Sequence, residues 1–158
     1  MLKNKLNLVI VIILISLIFL MGLTYILNPK FKINQNALLE DITFENNKIN
    51  IYVFWGKNCP HCEELFDFLE SIHNKYGKYY NVYGFEIWNN EANAQLMDEM
   101  LVELNSSNEK QAVPSYIIGN QVFNGYDSSY DSKIKEAIIS EYGNRENLLK
   151  FKNIIQKK

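Results

Sequence analysis

Two cysteines stand two residues apart in Trp55-Gly56-Lys57-Asn58-Cys59-Pro60-His61-Cys62, and the chain of 158 residues has no others. On the first turn of a helix this spacing brings the two sulfurs within disulfide distance and leaves the first at the helix N-terminus. Unpaired N–H groups and the positive end of the helix dipole there favour thiolate over thiol. Disulfide exchange needs that combination: a nucleophilic first thiolate and a second thiol close enough to resolve the mixed disulfide. Pro60 suits the first helical turn, where a missing N–H costs nothing, and His61 sets a group that can be cationic beside the sulfur. Two other chemistries use the same residue types. A structural zinc site wants four ligands, usually from two separated pairs, and the only other histidine is His73, further along the same helix. An inert bridge closing so short a loop would stabilise little. Redox exchange is therefore the stronger reading, with no metal and no cofactor expected.

The elements that must position these residues follow from the apolar pattern. Lys48–Trp55 (KINIYVFW) is apolar on both faces, as a strand covered on both sides of a sheet should be. A helix from the cysteines to about Tyr76 carries Leu65, Leu69, Ile72 and Tyr76 as one stripe, and Gly77 can end it. Asn81–Trp88 (NVYGFEIW) reads as a second strand. Asn89 or Asn90 can cap a helix over 91–104 with Leu96, Met97, Met100, Leu101 and Leu104 inward. Ser115–Ile118 and Gln121–Phe123 form a hairpin through Gly119-Asn120. A last long helix spans about 129–142, with Ile134, Ala137 and Ile138 inward. Leu148, Phe151 and Ile155 allow a further short helix, and Leu38–Phe44 is either a short strand or a helical turn. His73 reads as a solvated helix position. Strand–helix–strand with a right-handed crossover gives parallel pairing; the hairpin makes the sheet mixed. The fold class is an α/β sandwich of about four strands.

Ahead of this lies a different kind of sequence. Lys3 and Lys5 precede Leu6–Leu27, which holds no charged residue and would span roughly 33 Å as a helix, enough for a hydrocarbon core roughly 30 Å thick. The run is longer than a signal peptide's apolar region and lacks an A-x-A-like cleavage site. The domain plan is a cytoplasmic tail at 1–5, a transmembrane signal-anchor at 6–27, a spacer at 28–37 and a folded domain at 38–158. The lysines ahead of the span, against Lys30 and Lys32 just after it, favour placing the domain on the extracytoplasmic side. Beyond Lys5 the chain carries 14 basic and 18 acidic residues, net −4, which excludes a nucleic-acid footprint. With 47% hydrophobic residues, it also excludes disorder as the main description.

From KINIYVFW, the active-site-like CPHC and the later AVPSYIIGNQVFNGY, in that order, the chain resembles the thioredoxin superfamily over roughly 41–143. The resemblance implies a thioredoxin-like three-layer sandwich, with Cys59 as attacking thiol and Cys62 as resolving thiol. Pro60 and His61 would tune the pair. Pro114 would be a cis-proline facing it, and Val113 would offer backbone groups to a substrate strand. CPHC and the valine before proline look like the secreted disulfide-forming oxidases of this superfamily. The stretch between Trp88 and Val113, however, has room for about one helix rather than their larger insertion. The family often buries an acidic residue six positions before the first cysteine; that position is Val53. Glu86 either substitutes for it or faces solvent at a strand end.

The function expected is a membrane-anchored thiol–disulfide oxidoreductase, more oxidising than thioredoxin. It would exchange with thiols and disulfides of exported proteins and be reset by a redox partner that the sequence does not identify. The Cys59 thiol should be the exposed one and should titrate well below the ordinary cysteine range. A thioredoxin-like accessory protein that binds a single exported client without turnover is the alternative.

Overall fold

The computed structural model describes residues 2–27, 31–107 and 112–158, and the chain forms two units, residues 1–31 and 32–158. In the first unit Leu2–Leu27 is one helix of 26 residues, α1. Its large apolar side chains from Val9 to Met21 are exposed. Among the described residues no helix is long and apolar enough to cross a membrane, so the span expected at Leu6–Leu27 is not confirmed by the fold.

The second unit is built on a four-stranded sheet in the order β2-β1-β3-β4. The strands are β1 (Ile49–Trp55), β2 (Tyr80–Glu86), β3 (Ser115–Ile118) and β4 (Gln121–Asn124). β1 and β2 run parallel from Ile49↔Tyr80 to Trp55↔Glu86, β3 lies antiparallel to β1 with Phe54↔Ser115 at its start, and β4 closes the hairpin. Gly119 turns the hairpin at φ +60°, a conformation glycine adopts without cost. The helices are α2 (Pro60–Tyr76), α3 (Glu91–Glu103), α4 (Asp131–Tyr142), α5 (Arg145–Leu148) and α6 (Lys152–Ile155).

The pleat of β1 divides the core. Tyr52 and Phe54 join Phe85 and Ile117 in one buried cluster with Leu96, Met97, Met100 and Leu101 of α3 and with Phe151 and Ile155. Ile49, Ile51 and Val53 point the other way and are as fully buried, as are Leu65 and Leu69 of α2 and Ile134 and Ile138 of α4. On that side the Tyr80 hydroxyl donates to the Leu69 carbonyl at 2.6 Å, and Trp55 meets Phe66 edge-on. The result is the three-layer α/β sandwich with a mixed sheet that the element order predicts.

Several local expectations change. Residues 28–30 of the predicted spacer lie outside the described residues, but the rest of it is no spacer. Ile33 and Ala37 are buried. The Ala37 N–H donates to the Gly84 carbonyl, and the Gly84 N–H to the Asn34 carbonyl, both at 2.9 Å. A Cβ on Gly84 would stand 2.6 Å from the Gln35 carbonyl oxygen, so a glycine in β2 lets this segment lie against the strand. Glu70 of α2 ties the same segment down through Lys32 (2.9 Å) and the Ile33 N–H (3.1 Å). Burial works to raise the Glu70 pKa, but those bonds outweigh it and hold the carboxyl below its usual range. The folded unit thus starts before residue 38, because backbone pairing leaves no periodic signature in an Asn-rich stretch. Of the two readings left open for Leu38–Phe44, the helical turn is the one found: Leu39–Asp41 is a single 3-10 turn. The C-terminal segment forms two short helices, with Leu148, Phe151 and Ile155 all buried. His73 is half-buried, edge-on to Tyr80, not solvated; burial first, then the Lys48 charge, lower its pKa.

Candidate active site

β1 ends at Trp55, and three residues, 56–58, lead to Cys59. Asn58 takes φ 61°, a left-handed conformation asparagine tolerates, and this turns the chain into α2. Cys59 is extended (φ −97°, ψ 105°) and is itself the N-cap: its Sγ accepts the Cys62 N–H at 3.2 Å, with Pro60 following at the first helical position. Cys59 and Cys62 form a disulfide with Cα atoms 5.3 Å apart. Cys59 is 7% exposed and Cys62 1%. The first cysteine is therefore the outer of the two but more covered than expected, because the disulfide folds its sulfur back over the helix start.

His61 is 63% exposed at its side chain and pairs with the Glu64 carboxylate at 3.1 Å. Its imidazole is thus engaged along the helix, which weakens the expectation of a cation dedicated to the sulfur. Glu63 and Asp67 are exposed on the same helix. Asp127, the cap of a 3-10 turn at Ser128–Tyr130, is held below the usual carboxylate range by its hydrogen bonds to Ser129, and His61 pulls in the same direction. Nearby, the Tyr126 hydroxyl donates to Asp131 at 2.8 Å, and burial first, then this bond, pushes its phenol up. This rim of Glu64, Asp127 and Asp131 was not anticipated. It is assembled from α2, the loop after β4 and the start of α4, which no local pattern links.

The Val113–Pro114 bond is cis. Pro114 is buried and Val113 half-buried. The Pro114 carbonyl accepts the Gly125 N–H at 2.7 Å. Since Phe54 pairs with Ser115, one step further along the ladder sets Pro114 beside Trp55, at the sheet end from which the chain runs to Cys59. Glu86 is not beneath the disulfide. Its carboxylate accepts from the Trp88 N–H (3.0 Å), the Asn89 N–H (2.9 Å) and Asn89 Nδ2 (3.2 Å), closing the turn after β2. Val53 is fully buried, an apolar side chain at the position where the resemblance suggests an acid. Among the described residues no cluster of three or more His, Cys, Asp or Glu is placed to hold a metal.

Such a site can pass electrons by sulfur exchange. The capped sulfur is the one that stabilises negative charge, and the inner sulfur is held where it can re-form the bridge.

No protein-family model and no curated protein matches the chain. Solved structures similar to it are thioredoxin-like proteins. An uncharacterised thioredoxin-like protein from Clostridium perfringens is 17% identical, with 72% of this chain and 85% of that one covered and a TM-score of 0.48. A protein assigned as the thiol:disulfide interchange protein DsbE from Chlorobium tepidum is 14% identical, covering 73% and 94%, at 0.47. Thioredoxin O2 from Arabidopsis thaliana, in its oxidised state, is 16% identical, covering 72% and 95%, at 0.42. Each likeness is loose, and the architecture rests on the strand order and register of this chain itself.

Proposed function

We propose that the chain is a thiol–disulfide oxidoreductase, tethered to the membrane by α1, that exchanges disulfides with exported proteins on the extracytoplasmic side. The observation that carries the reading is the position of Cys59: its sulfur is the N-cap acceptor of α2 and the outer member of a CxxC disulfide. A client thiolate attacks the Cys59 sulfur, the Cys59–Cys62 bond breaks, and Cys62 leaves as a thiolate that takes up a proton. A second client thiolate attacks the client sulfur of the mixed disulfide, and Cys59 leaves. Two electrons pass from client to protein, leaving Cys62 as thiol and Cys59 as thiolate; the protons lost in forming the client thiolates go to Cys62 and to solvent, and an external redox partner restores the bridge. Val113 and Pro114, at the same sheet end, would offer backbone groups for an extended client segment to pair with. The N-terminal cap favours the reduced thiolate and hence a pair more oxidising than thioredoxin. Support for the tether comes from the charge-free run Leu6–Leu27 behind Lys3 and Lys5, whose side chains from Val9 to Met21 are exposed.

The test is turnover. Full-length protein in detergent should catalyse many rounds of thiol oxidation or insulin reduction, and Cys59→Ala should abolish them. Stoichiometric trapping of one client without turnover would instead favour the accessory-protein reading.

A further inference from the structure

We propose that Trp88 is the specificity-determining side chain of this site. Its indole is the wall against which an extended client polypeptide rests an apolar side chain two residues away from its reacting cysteine. The inference rests on the thiol–disulfide reading above.

Trp88 is 58% exposed, while every other Phe, Trp and Tyr between 32 and 158 is buried or half-buried. Leaving so large an apolar side chain in water forgoes the stabilisation its burial would give. Its position is nonetheless fixed. The Glu86 carboxylate takes the Trp88 N–H and both Asn89 donors, Asn93 Nδ2 donates to the Glu86 carbonyl at 2.9 Å, and the Ile87 N–H donates to the Trp55 carbonyl at 2.9 Å. The ring itself lies on Gly56. A Cβ added there would come within 2.3–2.6 Å of three indole carbons. Gly56 has no left-handed backbone that would require glycine; what its bare Cα provides is room for the indole.

Gly56 is three residues from Cys59, which limits the distance between their Cα atoms to about 11 Å. In an extended client, residues on one face recur every ~6.6–6.8 Å. Within that limit, a client cysteine on Cys59 leaves the residue two positions away, on the same face of the extended segment, within reach of the indole. The α2 flank of the site is lined instead by the His61–Glu64 pair and by Asp127, so the apolar contact is offered on the Trp88 side.

The experiment uses the full-length chain in detergent and two cysteine peptides that differ only in carrying Leu or Ser two residues from the cysteine. The readout is the ratio of kcat/KM for the two peptides within each variant. Wild type should prefer the Leu peptide about tenfold, mainly through KM. Trp88→Ala should bring the ratio near one, Trp88→Phe should keep most of the preference, and Gly56→Ala, which displaces the ring, should resemble Trp88→Ala. Should Trp88→Ala not fold, Trp88→Gln supplies the same contrast. A preference that survives loss of the indole, or a wild type with no preference, overturns the inference while leaving the parent reading intact. A wild type inert toward both peptides and dithiothreitol overturns the parent reading as well.

Discussion

Phe151→Ala should be among the most damaging single changes outside the redox site. Phe151 is 2% exposed and meets Tyr52 of β1 edge-on, ring centroids 5.5 Å apart, inside the cluster that α3 covers. Truncating a buried Phe costs about 3–5 kcal/mol, the loss of burial plus the cavity left behind. Domains are stable by only ~5–15 kcal/mol, so a large share would disappear. For a unit of this size 1 kcal/mol moves Tm by about 3–5 °C, which gives a fall of about 10–20 °C. Urea unfolding of wild type and variant should show a lower midpoint with the same slope. A loss below about 1 kcal/mol would refute the reasoning: the segment after α4 would then be an appendage, and the core would be closed by α3 alone.

The remaining predictions concern other parts of the unit. Glu141, buried at the hairpin end, accepts from the Asn120 N–H (3.1 Å), Gln121 Nε2 (2.8 Å) and Asn147 Nδ2; Glu141→Ala should cost about 2–3 kcal/mol in urea unfolding, since three donors, buried Asn147 among them, lose their acceptor. Because His73 titrates lower in the folded chain than in the unfolded one, the unfolded state binds more protons just below pH 6.5. Stability should therefore fall as pH drops through that window, and Tm at pH 5 and 7 should differ less in His73→Gln than in wild type. Cys62→Ala should accumulate mixed disulfides at Cys59 on non-reducing gels, whereas Cys59→Ala should accumulate none.

What the sequence could disclose followed how local each feature is. β1 is apolar on both faces and α2 begins at a Pro after a capping cysteine, so both were readable to within a residue or two, as was the hairpin at Gly119-Asn120. The pairing of residues 34–37 with β2 was not readable. It depends on backbone groups and on the bare Cα of Gly84, which leave no periodic trace. Phe151 and Ile155 showed helical spacing, but nothing local says which layer they join. At the site, Cys59, Cys62 and Pro114 stood out through residue type and order. The indole of Trp88 on Gly56 and the Glu64–Asp127–Asp131 rim arise only when separate elements meet at one sheet end. Glu86 shows the converse: residue type and neighbours allowed a buried acid, and the fold uses it to close a turn.

The cap on α2 has a thermodynamic corollary. In the disulfide, Cys59 Sγ is a neutral acceptor for the Cys62 N–H; as a thiolate it becomes a charged one, and charge-assisted hydrogen bonds are roughly twice as strong. Helix α2 is therefore better terminated when the pair holds two extra electrons. Folding and reduction form a closed cycle, so any surplus stability of the reduced fold over the oxidised one must reappear as a rise in reduction potential over an unfolded CxxC chain, about 30 mV for each 1.4 kcal/mol. Denaturation midpoints of the two redox forms would measure the electron affinity of the pair without an electrode. A substitution that alters the start of α2 would shift both quantities in step.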